Sequence, residues 1–210
     1  MSSDQGISLL VGLGNPGRDY EGTRHNAGFC FVERLAAAHG ERFQREPKFF
    51  GELCRLNLHG RGVRLLKPAT FMNHSGRAIA AVARYFDIPP ANILVAYDEL
   101  DLPPGQLKLK FAGGHAGHNG MRDTLAALGT RDFWRLRIGI GHPGQKEQVI
   151  GYVLSQPSPA DRAAIEDSCE QGLAALEEIV TGRFQRAMNQ LHRRPDAAGT
   201  EGAGAESPGA

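Results

Sequence analysis

The chain has 210 residues, of which 41% are hydrophobic and 22% charged, ordinary values for one globular domain. No apolar run approaches the ~18 residues of a membrane span. The short polar Met1–Gly6 has no basic region to open a signal peptide, and the 27 glycines follow no collagen-like period of three. Net charge is +1, but the last sixteen residues hold three acids and no base, so residues 1–194 carry +4, a mildly basic body able to host a nucleic-acid patch without establishing one.

In chain order, Ile7–Leu13 is a continuous apolar run, the mark of a strand buried on both faces. A loop from Gly14 to Arg24 follows. Asn26 is positioned to cap a helix to about His39, with Phe29, Val32, Leu35 and Ala36 on one face and Gly40 as its stop. Leu53–Leu58 and Val63–Leu66 read as a hairpin, and Ser75 to Phe86 as a helix with Ile79, Val82 and Phe86 inward, ended by Pro89-Pro90. Ile93–Tyr97 is a second buried strand running into Asp98-Glu-Leu-Asp101. Gln106–Phe111 alternates as a half-exposed strand, Ala112–Gly120 is a Gly/His loop, Met121–Leu128 a helix and Trp134–Ile140 a strand. Helical stretches over Pro159–Val180 and Arg183–Leu191 close the body. The tail from Pro195 has no large apolar side chain and is expected to be disordered, giving one domain over 1–194 and a tail over 195–210. Alternating strands and helices indicate an α/β fold, and the hairpin makes its sheet mixed rather than purely parallel; the fold expected is a twisted, mostly parallel sheet with helices on both faces.

Ligands of such sheets gather at the carboxyl ends of the strands, and Asn15, His25, Asp98, His118 and Asn119 all fall just after strands. Gly12-Leu-Gly-Asn-Pro-Gly17 matches the dinucleotide fingerprint, but the helix that should open within the glycines is delayed to about Asn26, and no acid ends a second strand at the required distance. The Walker phosphate loop is absent. His25, at the N-terminal edge of a helix, is favoured as neutral imidazole, the form a general base needs. Asp98 could orient an imidazole. His115 and His118 are spaced like zinc ligands, without a third partner. Asn15, Asn73 and Asn119 offer donors and acceptors on neutral groups. The three cysteines, Cys30, Cys54 and Cys169, form no CxxC pair, fit a reducing cytosol and read as small buried hydrophobes; Cys30 has no cationic helper in this reading, so no thiolate nucleophile is expected. The chemistry indicated is a His-activated water. Lys108/Lys110 and Arg135/Arg137 are candidate phosphate contacts.

Together the segments Val11-Gly-Leu-Gly-Asn-Pro-Gly17, Tyr20, Thr23-Arg-His-Asn-Ala-Gly28, Lys67-Pro-Ala-Thr-Phe-Met-Asn73, Asp98-Glu-Leu-Asp-Leu-Pro-Pro-Gly105, Gly117-His-Asn-Gly120 and Arg135-Leu-Arg-Ile-Gly-Ile-Gly-His-Pro-Gly144 resemble bacterial-type peptidyl-tRNA hydrolase, in order from about Ile7 to His192. The resemblance implies a cytoplasmic, monomeric enzyme that cleaves the ester between a peptide and the 3′-terminal ribose of tRNA, with no cofactor, no metal and no membrane association. It implies that His25 is the catalytic base, Asp98 the residue that keeps it basic, and Asn15 the discriminator of blocked from free aminoacyl ends. Tyr20, Phe71, Asn73 and Asn119 would contact the tRNA and peptide ends, Met72 and His118 would line the cleft, and Lys110 and Arg137 would lie near the tRNA 5′-phosphate. His74, after Asn73, departs from the apolar residue of many members. Two alternatives stand beside this reading. One is a non-catalytic RNA-binding member of the fold, against which the joint presence of His25 and Asp98 argues. The other is a metal-dependent hydrolase using Asp98, Asp101 and His118.

Overall fold

The computed structural model describes residues 6–192, so the tail expected from Pro195 lies outside the described residues. Seven strands form one sheet: β1 (Leu9–Gly12), β2 (Gln44–Glu46), β3 (Gly51–Leu58), β4 (Arg61–Pro68), β5 (Ile93–Glu99), β6 (Leu107–Phe111) and β7 (Trp134–Gly139), in the spatial order β2-β3-β4-β1-β5-β7-β6. Strands β4, β1, β5 and β7 pair in parallel, β3 and β6 run against them, and β2 runs against β3. Most strands therefore share one direction, as the sequence indicated.

Helices α1 (Ala27–Ala38), α5 (Pro159–Ala174), α6 (Leu176–Val180) and α7 (Phe184–Leu191) pack on one face, and α2 (Ser75–Tyr85) and α3 (Asn119–Leu128) on the other. A further short helix, α4 (Val149–Val153), joins the first group. Successive strand side chains point to opposite faces. Accordingly Leu10, Leu94 and Ala96 join the α1 cluster, while Leu9, Val11, Ile93 and Val95 join the α2 cluster. That two-sided burial is why β1 and β5 are continuous apolar runs, each buried Leu or Val contributing ~1.5–3 kcal/mol. No helix among the described residues is long and apolar enough to cross a membrane.

The glycine cluster of β1 serves packing. A Cβ on Gly28 would collide with the Ala96 carbonyl oxygen and the Leu13 backbone, and one on Gly12 with the Gly28 carbonyl, so the first turn of α1 lies directly on β1 and β5. The Phe29 N–H then donates to the Leu13 carbonyl at 3.1 Å. The β3–β4 hairpin turns on His59 and Gly60, both at positive φ, the two-residue turn that matches strand twist.

Several expectations are corrected. Asn26 does not cap α1: it makes no side-chain cap bond and spends its amide on the Asn15 backbone instead. Asn119 and Gly120 belong to α3, whose N-cap is His118, so the preceding loop is shorter than read. The expected Pro159–Val180 helix is interrupted at Ala175, where ψ is 0°. Strand β2 and helix α4 were not foreseen; at three and five residues they are too short for periodicity to register. Cys54 and Cys169 are buried, but Cys30 is only half-buried, and Arg34, one turn on, supplies the cation that the sequence reading had denied it.

Candidate active site

Strands β4, β1, β5 and β7 end on the same edge of the sheet. From β1 the chain passes by α1 to β4 on one side, and then by α2 to β5 on the other. The crevice of an open α/β sheet forms at such a reversal. Here it is a cavity of about 480 Å³ lined by Asn15, His25, Phe71, Met72, Asn73, Asp98, His118 and Asn119, with Leu100, Arg122 and the α4 residues Val149, Ile150 and Val153.

Asp98 sits at its floor, next to last in β5, with its side chain only 2% exposed. His25 Nδ1 lies 2.9 and 3.0 Å from the two carboxylate oxygens, and His118 Nε2 lies 2.9 Å from Oδ1. The proton positions follow. His118 Nδ1 accepts the Met121 backbone N–H at 3.2 Å, so its Nε2 carries the hydrogen donated to Asp98. His25 donates through Nδ1, which leaves the Nε2 lone pair as the basic position.

Burial alone would raise the Asp98 carboxyl, but the neighbouring His25 and His118 imidazoles and the N–H groups they donate hold it well below the usual carboxylate range. Burial alone would lower His25, but the Asp98 charge and hydrogen bond outweigh it and raise the imidazole above 6.5. The carboxylate therefore strengthens the base as well as aiming it.

The turn carrying His25 (Arg24–Asn26) is fastened on both sides. Arg24, only 7% exposed, donates to Ser155 Oγ at 2.8 Å and the Gln156 carbonyl at 2.9 Å, pairs with Asp161 at 3.3 Å, and lies over the Tyr152 ring. Asn26 Oδ1 accepts the Asn15 N–H at 2.8 Å and its Nδ2 donates to the Asn15 carbonyl at 3.0 Å. Asn15 in turn accepts the Met72 N–H on Oδ1 at 2.8 Å. Its carbonyl is thus committed, and what Asn15 can offer a ligand is the Nδ2 donor pair. Asn119 is set similarly, its Oδ1 accepting from Arg122 at 2.8 Å. Asn73 is exposed, with Nδ2 3.4 Å from His74 Nε2.

The remaining expected residues lie at or beyond the rim. Phe71 is 57% exposed on the cavity edge, and Tyr20 meets it edge-on with ring centroids 6.3 Å apart, without lining the cavity itself. Lys110 and Arg137 are outside the cavity too. With Lys108 and Arg135 they occupy one face of the β6–β7 pair, Lys108 opposite Arg137 and Lys110 opposite Arg135. Arg137 pairs with Glu99 at 2.9 Å, and Arg135 is turned onto the Gly113 and Gly114 carbonyls of the loop leading to His118.

His115 and His118, spaced like zinc ligands but without a third partner, do not converge: His115 Nδ1 accepts the Gly117 N–H, and His118 turns to Asp98. Asp101 is exposed and joins no cluster with Asp98. Among the described residues, the group whose ligand atoms converge is His25, Asp98 and His118, all within 4.8 Å. Metal binding there would displace the two N–H protons that Asp98 already accepts. Sequence reasoning missed Arg24, Asn26 and the α4 lining. The first two stand in the quoted Thr23-Arg-His-Asn motif, but their partners are remote in sequence; α4 left no signal.

A peptidyl-tRNA hydrolase family model matches residues 9–198. The peptidyl-tRNA hydrolase of Ruthia magnifica is 50% identical over 188 residues, covering 90% of this chain and 98% of its own. That of Halorhodospira halophila is 50% identical over 184 residues, covering 88% and 95%. The crystal structure of the Acinetobacter baumannii peptidyl-tRNA hydrolase superposes with a TM-score of 0.88 at 46% identity, covering 91% of this chain and 97% of that one. With the fold, the cleft and these likenesses in agreement, the chain belongs to the peptidyl-tRNA hydrolase family.

Proposed function

We propose that this enzyme hydrolyses the ester between a peptide, or an N-blocked amino acid, and the 3′-terminal ribose of tRNA, by water activated at His25 without a covalent intermediate or a metal. The observation that carries the mechanism is the Asp98 carboxylate, 2.9 Å from both His25 Nδ1 and His118 Nε2, which leaves His25 Nε2 as the basic atom. Water bound there loses its proton to Nε2 as it attacks the ester carbonyl. Asp98 stabilises the imidazolium that forms. The proton then passes to the departing ribose oxygen, and tRNA and peptide acid leave.

The developing oxyanion needs donors, and the free amides of Asn15 and Asn119 supply them; one well-placed donor is worth ~3–4 kcal/mol. The donor-only face of Asn15 also supports its role as discriminator. A blocked substrate brings an amide carbonyl, which accepts from Nδ2. A free aminoacyl end brings an ammonium, a donor facing a donor. Phe71, with Tyr20 behind it, and Asn73 suit the terminal nucleotide and peptide end, Met72 and His118 the wall, and Lys110 and Arg137 the phosphates of the acceptor stem. The setting proposed is a monomer in the cytoplasm that recycles tRNA from prematurely released chains, with residues 195–210 dispensable.

An N-blocked aminoacyl-tRNA is incubated with the enzyme under excess chelator, beside the unblocked form and a His25→Ala protein. Release from the blocked form alone, lost by at least ~100-fold in the variant, is expected. Binding without release would leave a non-catalytic RNA-binding protein, and chelator-sensitive release would move the chemistry to a metal held by His25, Asp98 and His118.

A further inference from the structure

The charges at the β3–β4 end of the sheet are arranged unlike those of the cleft and the helices. Arg24, Arg34, Lys67, Arg137 and Arg183 each hold a carboxylate within 3.3 Å. On the hairpin, by contrast, Arg55 of β3 stands directly opposite Arg64 of β4 in the antiparallel register. Both line an open groove of about 380 Å³, with Arg42 and Lys48 beside them and Phe49 and Phe86 between. Glu41 and Glu46 line it too, but among the described residues no ion pair joins either acid to a cation of the groove. Like charges facing each other across a strand pair repel. Burial, and then the Arg55 charge, hold the Arg64 guanidinium below its ordinary value. An anion seated between the two guanidiniums removes that repulsion.

Aromatic rings are interleaved with these cations. Arg64 lies over the Phe86 ring at 3.7 Å, and Lys48 lies 4.8 Å from the ring centroids of both Phe49 and Tyr85. Tyr85, the last residue of α2, meets Phe86 and Phe49 edge-on, with centroids 4.8 and 5.1 Å apart, yet it is 62% exposed. Its neighbours fix the ring while much of its surface stays in solvent, the setting in which an unstacked base is received.

We propose that this surface is a second RNA-binding site, which takes a single-stranded segment with one phosphate between Arg55 and Arg64 and a base on Tyr85. The guanidinium fork matches phosphate oxygens two at a time, and cations interleaved with rings suit a chain that alternates phosphates with bases. An acidic peptide would use the cations and leave Tyr85 idle. A duplex keeps its bases stacked and away from the ring. The surface is distinct from the acceptor-stem contacts proposed above. Lys110 and Arg137 lie on β6 and β7, at the other end of the strand order, and at ~4.8 Å per strand β3 is ~24 Å from β6. The catalytic cleft opens between the two. RNA bound at β3–β4 is therefore a segment other than the acceptor stem, and its binding does not depend on the hydrolysis.

The test uses the full-length protein and a fluorescent, unstructured RNA oligonucleotide, with binding read by anisotropy over a range of salt. Tyr85→Ala should weaken binding at least ~fivefold, the lower end for the loss of one stacked base, and Tyr85→Phe should restore it. Joint Arg55→Ala and Arg64→Ala substitution should lower the slope of log K against log salt by ~0.7, the share of one phosphate on a single strand. The same double variant should hydrolyse N-blocked aminoacyl-tRNA with unchanged kcat and KM. Ultraviolet crosslinking, which needs no substitution, should place the oligonucleotide on the peptide that carries Tyr85. Crosslinks confined to β6 and β7, or binding indifferent to the paired arginine substitutions, would overturn the proposal. So would equally effective competition by polyglutamate, which would make the surface a general polyanion contact. A raised KM for aminoacyl-tRNA in the double variant would overturn it too, by making the surface part of the substrate's own site.

Discussion

Replacing Asp98 by Asn separates the two things this carboxylate does. The substitution keeps the shape, and Oδ1 can still accept from His118 Nε2 as it does at 2.9 Å. The other arm changes character. Where Oδ2 now stands 3.0 Å from His25 Nδ1, an amide nitrogen would face an N–H, and Oδ1, 2.9 Å from both His25 Nδ1 and His118 Nε2, would be the one acceptor left for two N–H groups. His25 escapes that clash by moving its proton to Nε2 and accepting from the amide, and the lone pair that activates water is gone. In a serine-protease triad the same carboxylate-to-amide exchange lowers turnover ~10⁴-fold for this reason, so a fall of ~10³–10⁴, equal to ~4–5.5 kcal/mol of barrier, is expected here. The pH profile moves as well. In the wild type the base works when neutral, so kcat/KM rises with pH through a midpoint above 6.5, because Asp98 raises the imidazole. Without that charge only burial remains, and the midpoint of the residual activity shifts downward. The assay is kcat/KM on N-blocked aminoacyl-tRNA from pH 5 to 9, corrected for spontaneous ester hydrolysis, with near-ultraviolet circular dichroism to confirm the fold. Wild-type turnover, or an unmoved midpoint in folded protein, would refute the orientation of His25 by Asp98. Stability follows the same pair. The depressed Asp98 stabilises the fold above the unfolded carboxyl value of ~3.9 and loses this as pH falls through its lower folded value. The raised His25 stabilises below ~6.5 and loses this as pH rises through its higher folded value. Urea midpoints measured across pH should show that wild-type window flattened in the Asp98→Asn variant.

Asn15→Asp replaces the offered donor by an acceptor and sets a carboxylate against the cleft, so the turnover ratio of blocked to unblocked aminoacyl-tRNA should fall at least ~tenfold; a preserved ratio removes Asn15 as discriminator. Lys110→Ala should weaken tRNA binding with little change in kcat, and the slope of log K against log salt should drop by ~0.9, the share of one phosphate; an unchanged slope places the acceptor stem elsewhere. Gly28→Ala drives a methyl into the Ala96 carbonyl and the Leu13 backbone, which should cost ~1–3 kcal/mol or more and lower Tm by several degrees; an unchanged Tm means α1 does not seat as described.

Much of the molecule was legible in the chain before folding. Ile7–Leu13 and Ile93–Tyr97 are apolar without alternation because both faces of β1 and β5 are covered, and side-chain burial is a local property that composition records. The alternation of Gln106–Phe111 marked a half-exposed strand for the same reason: Leu107 and Leu109 are buried while Lys108 and Lys110 are not. The hairpin marked the sheet as mixed, and the motif order carried the family and placed His25, Asp98, Asn15 and Asn73 around one cleft, as found. By itself, therefore, the sequence determined the fold class, the family and the identity of the chemical groups, since each depends on residue types at short spacing. Tertiary structure alone decided which group each one faces. It turned Asn26 from a helix cap to a brace for Asn15, sent Arg24 to partners more than 130 residues away, and gave His118 to Asp98 rather than to His115. It also folded α4 over the cleft. Hydrogen bonds reach only a few ångströms, and residues from 11 to more than 130 positions apart come within that range only when the sheet and its helices have packed.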